Sequence, residues 1–286
     1  MTAAQWIGLG LKFSLMAIVF CVALNTRRGD LLSLLRRPSL CIRSILAMNI
    51  VMPVIAALLA AVFNLNRQLE VALIALAVAP VPPILPNKQI KAGGSASYSV
   101  ALLGLSAALS IVLIPVVIDV LARAFGHDLR VPPSAVFRAV ALSVLAPLLA
   151  GVVVRELAPK LAAAIVKPLT MLANILLIVA FIPVIIIAWP HLAEQAGNFT
   201  LVAIVVLVLT GLLVGHVLGG PHPADRTALA LATASRHPGV AVAVAGIIAP
   251  NDKSVVMAVL LAFLVAVIVT GPYARLRARR HAGESV

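Results

Sequence analysis

Two stretches decide the fold: residues 79–89, APVPPILPNKQ, and residues 233–239, TASRHPG. Each interrupts a segment that is otherwise apolar. Proline lacks a backbone N–H and its ring clashes with the preceding turn, so a helix must break at each stretch. Hydrocarbon accepts a broken backbone only where protein or a water-filled cavity covers it. Paired interruptions in the two halves of a membrane protein are typical of a transport site.

The composition is that of a polytopic membrane protein. The 286 residues are 63% hydrophobic and 11% charged, with a mean hydropathy of +1.15. A soluble domain carries about 25% charge. We therefore predict a single transmembrane domain over residues 1–286, with the lipid bilayer as its main solvent. The net charge of +13 does not indicate a nucleic-acid partner, because the Lys and Arg residues lie in short loops, where they set topology.

Nine segments are long and apolar enough to cross a bilayer, which takes about 20 residues. They lie near residues 7–24, 42–63, 69–91, 97–122, 135–154, 168–189, 200–218, 227–248 and 254–273. The third and the eighth contain the two breaks. The predicted fold is therefore an all-α polytopic membrane protein with nine transmembrane helices.

Basic residues predict the orientation of these helices. Residues 27–37, 155–167 and 275–280 are rich in Lys and Arg, whereas the alternate loops are poor in them. By the positive-inside rule the N-terminus lies outside and the C-terminus in the cytoplasm. Residues 275–286 are then a cytoplasmic tail, which we expect to be loose, and the protein is expected in the cell (inner or plasma) membrane.

The order of the spans predicts an inverted repeat. Spans one to four resemble spans six to nine in that each set reads plain, plain, broken, plain. Five crossings separate equivalent spans, so equivalent spans point in opposite directions across the membrane. This arrangement is expected of a carrier that works by alternating access.

The chemistry of the two breaks favours an anion. Each new helix N-terminus carries unpaired N–H groups, and neither break contains Asp or Glu. A charge near the bilayer centre costs several kcal/mol, and such residues are usually functional. We predict a substrate-binding pocket, with no metal and no cofactor. Its predicted members are Asn87, Lys88, Gln89, Ser99, Thr233, Ser235, Arg236 and His237.

Three of these residues have a second interpretation. Arg236 can be a structural cap on the carbonyls of the first half of its helix, and can contact the substrate as well. His237 can be a neutral hydrogen-bonding residue or a proton-coupled switch. Lys88 can extend its side chain to the membrane interface instead of the pocket.

Residues 47–53, AMNIVMP, precede the first break, and residues 92–100, AGGSASYSV, follow it. With the two breaks they resemble the bile acid:sodium symporter family in layout, over nearly the whole chain. The resemblance implies a core that carries both crossing broken helices and a smaller panel beside it. By analogy the core is approximately residues 41–123 and 199–274, and the panel approximately residues 7–25 and 134–190.

The chemistry departs from that of the family, in which oxygen atoms at both breaks hold sodium. The positions matching the family's sodium ligands are Leu85, Pro86, Ser99, Leu103, Ala232 and Arg236. Only Ser99 keeps an oxygen ligand, and Met48 matches a neighbouring Gln. The resemblance therefore predicts that both sodium sites are lost and that the guanidinium of Arg236 takes the role of a coupling cation.

The predicted function is secondary transport of a small organic anion by alternating access, without sodium coupling. Proton coupling through His237 stays open. The alternatives are a sodium-coupled symporter of the bile-acid type and a membrane receptor that binds a ligand without transporting it. A membrane enzyme would need an acid pair, a metal cluster or a nucleophile near a break, and the sequence has none there, so we predict that the protein is not an enzyme.

Overall fold

The computed structural model describes residues 3–26, 29–30, 33–124, 131–195, 199–250 and 252–284, and within these residues it contains helices and no strands. The helices are α1 (Ala3–Leu24), α2 (Pro38–Ile45), α3 (Met52–Val62), α4 (Arg67–Val78), α5 (Leu85–Lys91), α6 (Ala96–Ala124), α7 (Pro133–Val140), α8 (Ala146–Leu157), α9 (Pro159–Gln195), α10 (Thr200–Leu218), α11 (Pro223–Ala234), α12 (Pro238–Ile248) and α13 (Lys253–Glu284). Two π-helical segments, Leu46–Val51 and Ala141–Leu145, join α2 to α3 and α7 to α8. The prediction of an all-helical membrane protein is confirmed.

Seven helical segments among the described residues are long and apolar enough to span a membrane. They are Pro38–Val62, Ala96–Arg123, Pro133–Leu157, Pro159–Pro183, Thr200–Leu218, Pro223–Ile248 and Lys253–Gly283. Helix α1 adds a shorter apolar stretch, and α4 and α5 are each too short to span alone. The count of nine and the inverted repeat stay predictions.

Both predicted breaks occur, and they meet at a place that we call the crossing. Helix α4 ends at Val78 and α5 begins at Leu85, while α11 ends at Ala234 and α12 begins at Pro238. We call residues 79–84 the first break and residues 235–237 the second break. The backbone N–H of His237 donates to the carbonyl oxygen of Pro80 at 2.9 Å, so the two breaks are in direct contact.

The helices pack in two neighbourhoods. Helix α1 packs mainly on α8 and α9, whereas α4 packs on α3, α12 and α13. The contact of α1 with α8 is close, because a Cβ atom built on Gly151 would lie 2.5 Å from the Cβ of Ala23. The division into a moving core and a panel stays a prediction.

Helix α10 lies unusually close to α11, the helix that leads into the second break. A Cβ atom on Gly215 would lie 2.5 Å from the Cα of Ala230, and one on Gly211 would lie 2.9 Å from the Cα of Ala234. Small residues four positions apart allow two backbones to approach in this way. The close packing holds the end of α11, and with it the second break, against α10.

The starts of α2, α6 and α11 and the end of α13 meet at one end of the bundle. We call this end the basic face. Arg37 bonds to Asp225 at 2.6 Å, and the N–H of Ser95 donates to the carbonyl of Ala224 at 3.4 Å. Helix α13 reaches the same place and stays helical as far as Glu284. Arg27 and Arg28, which belong to the first basic stretch of the orientation argument, lie outside the described residues, and the orientation stays a prediction.

The expectation of a loose tail was wrong for residues 275–284. These residues continue α13, and Arg277 hydrogen-bonds to Thr227 and Pro223. The side chain of His281 covers Gly93, where a Cβ atom would come within 2.7 Å of it. Contacts to neighbouring helices hold this polar segment, and a composition reading could not anticipate them.

Candidate functional site

The first break has backbone groups whose hydrogen-bond partners lie in other segments of the chain. Three of its residues, Pro80, Pro82 and Pro83, have no N–H to donate. Buried backbone groups are nevertheless almost always paired. Here the N–H of Val81 donates to the hydroxyl of Ser106 on α6 at 3.1 Å, and the carbonyl of Pro80 accepts from the second break.

Arg236 supplies the next donors. Its guanidinium is 7% exposed, and its Nη1 donates to the carbonyl of Ala79 at 3.2 Å. Its Nη2 donates to the carbonyl of Met48 at 2.5 Å. One side chain therefore joins three regions: the second break, the first break and the π-helical segment of the second span.

The carbonyl of Met48 is available to Arg236 for a local reason. In a π-helix a carbonyl accepts from the N–H five residues on, and for Met48 that position is Pro53, which has no N–H. The π-helical turn and the proline together leave an unpaired acceptor facing the core. π-Helical turns are frequently found at functional sites, and here the turn provides half of the Arg236 site.

His237 caps the helix that follows it. Its Nδ1 accepts from the N–H groups of Gly239 and Val240, at 3.2 and 3.4 Å. An accepting Nδ1 carries no proton, so in the neutral ring the proton is on Nε2. The side chain is 2% exposed, and Nε2 has no hydrogen-bond partner among the described residues.

Arg236 also keeps one donor unused. Its Nε is buried and has no partner in the described part of the chain. Arg236 and His237 are consecutive, so the second break holds two buried N–H donors that no described protein atom accepts from. Neither break contains an acidic side chain that would neutralise the guanidinium.

A small cavity adjoins the second break. It has a volume of about 40 Å³, which is room for a few water molecules and not for an organic solute. Its polar lining comes from Thr233, Ser235 and Arg236, and the rest is apolar side chains of α3, α4, α10 and α13. The hydroxyl of Thr233 donates to the carbonyl of Leu229 at 2.8 Å and can still accept.

The other predicted pocket residues do not line this cavity. Lys88 donates to the hydroxyl of Thr270 on α13 at 2.7 Å, and Gln89 donates to the carbonyl of Ala228 at 2.6 Å. The Ser99 hydroxyl donates to the carbonyl of Ser95. Asn87 is half-buried on α5. The structure thus places Thr233, Ser235 and Arg236 at the cavity, with His237 next in the chain but not among the lining residues, and leaves Asn87, Lys88, Gln89 and Ser99 nearer the basic face.

Sequence reasoning missed two contributors to the site. Ser106 satisfies Val81, and nothing in the sequence distinguishes it from Ser110, which is also buried on α6. The glycines of α10 did carry a signal, because Gly211, Gly215 and Gly219 recur at four-residue spacing. That spacing predicts a close helix contact, and Gly219 also lies against α11, with a Cβ position 2.5 Å from the Cα of Arg226.

Comparison with known proteins gives two findings. A family model described as Sodium Bile acid symporter family matches residues 12–189, a region that includes the first break and ends before the second. A Bacillus subtilis (strain 168) protein, described as the uncharacterized sodium-dependent transporter YocS, is 26% identical over 245 residues. That alignment covers 84% of this chain and 74% of YocS.

Proposed function

Because this chain belongs to the sodium bile acid symporter family, a family of membrane transporters, we propose that it is a secondary carrier of a small organic anion that does not use sodium. The observation that carries the proposal is the position of Arg236. Its guanidinium occupies the crossing of the two breaks and donates to carbonyls of Ala79 and Met48.

A fixed guanidinium argues against sodium at this crossing. A sodium ion needs several oxygen ligands, and two carbonyls that would otherwise be free already accept from Arg236. The positions that match the family's sodium ligands have lost their oxygens except at Ser99, whose hydroxyl donates to Ser95. A second positive charge beside a buried arginine would also be repelled, strongly so at low dielectric. YocS carries a sodium-dependent description, and sodium coupling is therefore the alternative to be tested.

The unused donors of Arg236 and His237 support an anionic substrate. A buried charge without a partner is costly, and an anion at the second break would supply the missing counterion. The Nε–H of Arg236 and the Nε2–H of His237, from which no described protein atom accepts, can each donate to an oxygen of a carboxylate or sulfonate. Asn87, Lys88, Gln89, Ser99, Thr233 and Ser235 remain proposed pocket members, of which Thr233 and Ser235 line the cavity.

The cap formed by His237 bears on proton coupling. To take a second proton, Nδ1 must give up the two N–H groups that it accepts at the start of α12. The closed geometry therefore favours a neutral donor at His237 over a proton carrier. A proton-coupled cycle would require the cap to open in another state of the carrier.

Transport requires a state with more room than the cavity has. We propose that a core, approximately residues 41–123 and 199–274, moves against a panel, approximately residues 7–25 and 134–190, and so exposes the crossing alternately to the two sides. In this scheme α1 and the α4–α5 pair complete nine crossings. The basic face is cytoplasmic, with the N-terminus outside and the C-terminus inside.

The test is a ligand screen followed by flux. Carboxylates, sulfonates and sterol conjugates are added to the purified protein, with sodium or with choline as the cation, and the unfolding temperature is followed. A hit should stabilise the wild type equally in both salts and should stabilise Arg236→Gln much less. The same compound should then enter proteoliposomes in both salts.

The control is Arg123→Gln, since Arg123 is an exposed arginine paired with Asp119 at 2.9 Å. It should respond to the ligand as the wild type does. Uptake that needs a sodium gradient would support the sodium-coupled alternative. Binding in detergent without any flux would support a receptor.

A further inference from the structure

Two arginines converge on the turn between α10 and α11. The Nε of Arg226 donates to the carbonyl of Gly220 at 2.6 Å. A Cβ atom built on Gly220 would lie 3.6 Å from Nη1 of Arg43, which comes from α2. Gly220 has a φ of +82°, a conformation that favours glycine. Both guanidinium groups lie close to this residue.

A third arginine, from α13, contacts the start of α11, directly after this turn. The Nε of Arg277 donates to the hydroxyl of Thr227 at 2.7 Å, and its Nη2 donates to the carbonyl of Pro223 at 3.0 Å. We call Arg43, Arg226 and Arg277 the turn arginines. Each comes from a different helix, so no periodicity along one helix accounts for their meeting.

The turn arginines are not neutralised by protein. The acidic residue of residues 219–227 is Asp225, and its carboxylate is already paired with Arg37 at 2.6 Å. No carboxylate of the described side chains lies within salt-bridge distance of a turn arginine. Several of their N–H groups, including both Nη groups of Arg226, donate to no described atom. Arg43 is exposed and Arg226 and Arg277 are half-buried, so all three are within reach of an external anion.

The turn arginines lie near the ends of segments that are long and apolar enough to span a membrane. Arg43 and Arg226 each lie within two turns of the start of a membrane-spanning segment, Pro38–Val62 and Pro223–Ile248. Arg277 lies close to the end of a third, Lys253–Gly283. At that depth the abundant anions are lipid headgroups, and basic pockets between transmembrane helices are known to bind them.

We propose that the turn arginines bind the phosphate of an anionic phospholipid. Guanidinium groups match phosphate oxygens with paired, charge-assisted hydrogen bonds, and here three of them come from three different helices. A bound lipid ties α2 and α13 to the start of α11, the helix that carries the second break. The proposal does not depend on which solute is transported.

The test is native mass spectrometry of the full-length protein in micelles with added phosphatidylglycerol or phosphatidylcholine of equal chain length. The wild type should retain phosphatidylglycerol and not phosphatidylcholine. Arg43→Gln, Arg226→Gln and Arg277→Gln should each bind phosphatidylglycerol about fivefold more weakly. Arg279→Gln is the matched control, because Arg279 is exposed on the same stretch of α13, and it should bind as the wild type does.

Arg43→Gln makes the outcome clear, because Arg43 donates no hydrogen bond to the described residues and its loss should leave the fold intact. Equal retention of phosphatidylglycerol by the wild type and Arg43→Gln overturns the proposal. Equal retention of the two lipids by the wild type also overturns it. In a second arm, inorganic phosphate at millimolar concentration is added, and its displacement of the lipid would show that the site takes a free anion instead.

Discussion

The two breaks differ in how their buried backbone groups are paired. The first break removes donors, since three of its six residues are prolines, and it depends on other elements to pair its carbonyls. The second break adds donors, and His237 caps its own helix while Arg236 reaches across. In the hydrogen bonds between the two breaks, the first break accepts and the second donates. The pair is therefore chemically asymmetric even where its layout suggests a repeat, and a single arginine makes the two breaks depend on each other.

The largest expected effect on stability comes from displacing α11, the helix that leads into the second break. In Gly215→Leu the new side chain meets the backbone of α11, where even a Cβ atom lies 2.5 Å from the Cα of Ala230. Backbone cannot yield as a side chain does, so we expect a loss of about 3 kcal/mol or more in the free energy of unfolding, or no folded protein. Thermal unfolding in detergent measures it.

The control for this change is Gly246→Leu on α12, since a Cβ atom there meets nothing within 4 Å. It should leave the unfolding temperature close to that of the wild type. An equal loss in both variants would show that glycine itself, and not the contact with α11, is what matters.

The next largest effect comes from removing the shared arginine. Arg236→Met leaves the carbonyls of Ala79 and Met48 without donors, which we expect to lower the free energy of unfolding by about 2–3 kcal/mol. Arg123→Gln removes an exposed pair and should change it by less than about 1 kcal/mol. If Arg236→Met is as stable as the wild type, the arginine does not hold the breaks together.

A smaller loss of stability is expected from a change that affects the first break alone. Ser106→Ala leaves the N–H of Val81 unpaired, at a cost of about 1–2 kcal/mol in the free energy of unfolding. Ser110→Ala is the matched control, because its hydroxyl donates only to the carbonyl of Ala107 on its own helix. Chemical or thermal unfolding of the two variants side by side gives the difference, and no difference would count against the role of Ser106.

The smallest effect on stability separates capping from ligand binding. His237→Asn keeps an N-cap acceptor and removes the Nε2–H, so stability should change by only about 0.5 kcal/mol. Affinity for the anion found in the screen should fall about tenfold, because one charge-assisted hydrogen bond is lost. Unchanged affinity in a titration would remove His237 from the binding site and leave it as a cap.

The sequence was sufficient for the class of fold and for the position of the breaks. Apolar runs of about 20 residues indicate membrane helices, and proline cannot continue a helix whatever surrounds it. Both properties are local, so Pro80, Pro82 and Pro238 could be interpreted without coordinates. The absence of acidic residues from the breaks is equally visible. That Arg236 stands where an oxygen ligand is expected is what the resemblance to the family implies.

Only the tertiary structure decided what the buried donors pair with. The partners of Arg236 are carbonyls, which every residue has, and no sequence pattern marks the one at Met48 except through the π-helical turn and Pro53. The same holds for Ser106, and for Lys88, which was predicted in the pocket and bonds to Thr270 instead of lining the cavity. Such pairings depend on which helices lie side by side, and that is a property of the whole packed bundle.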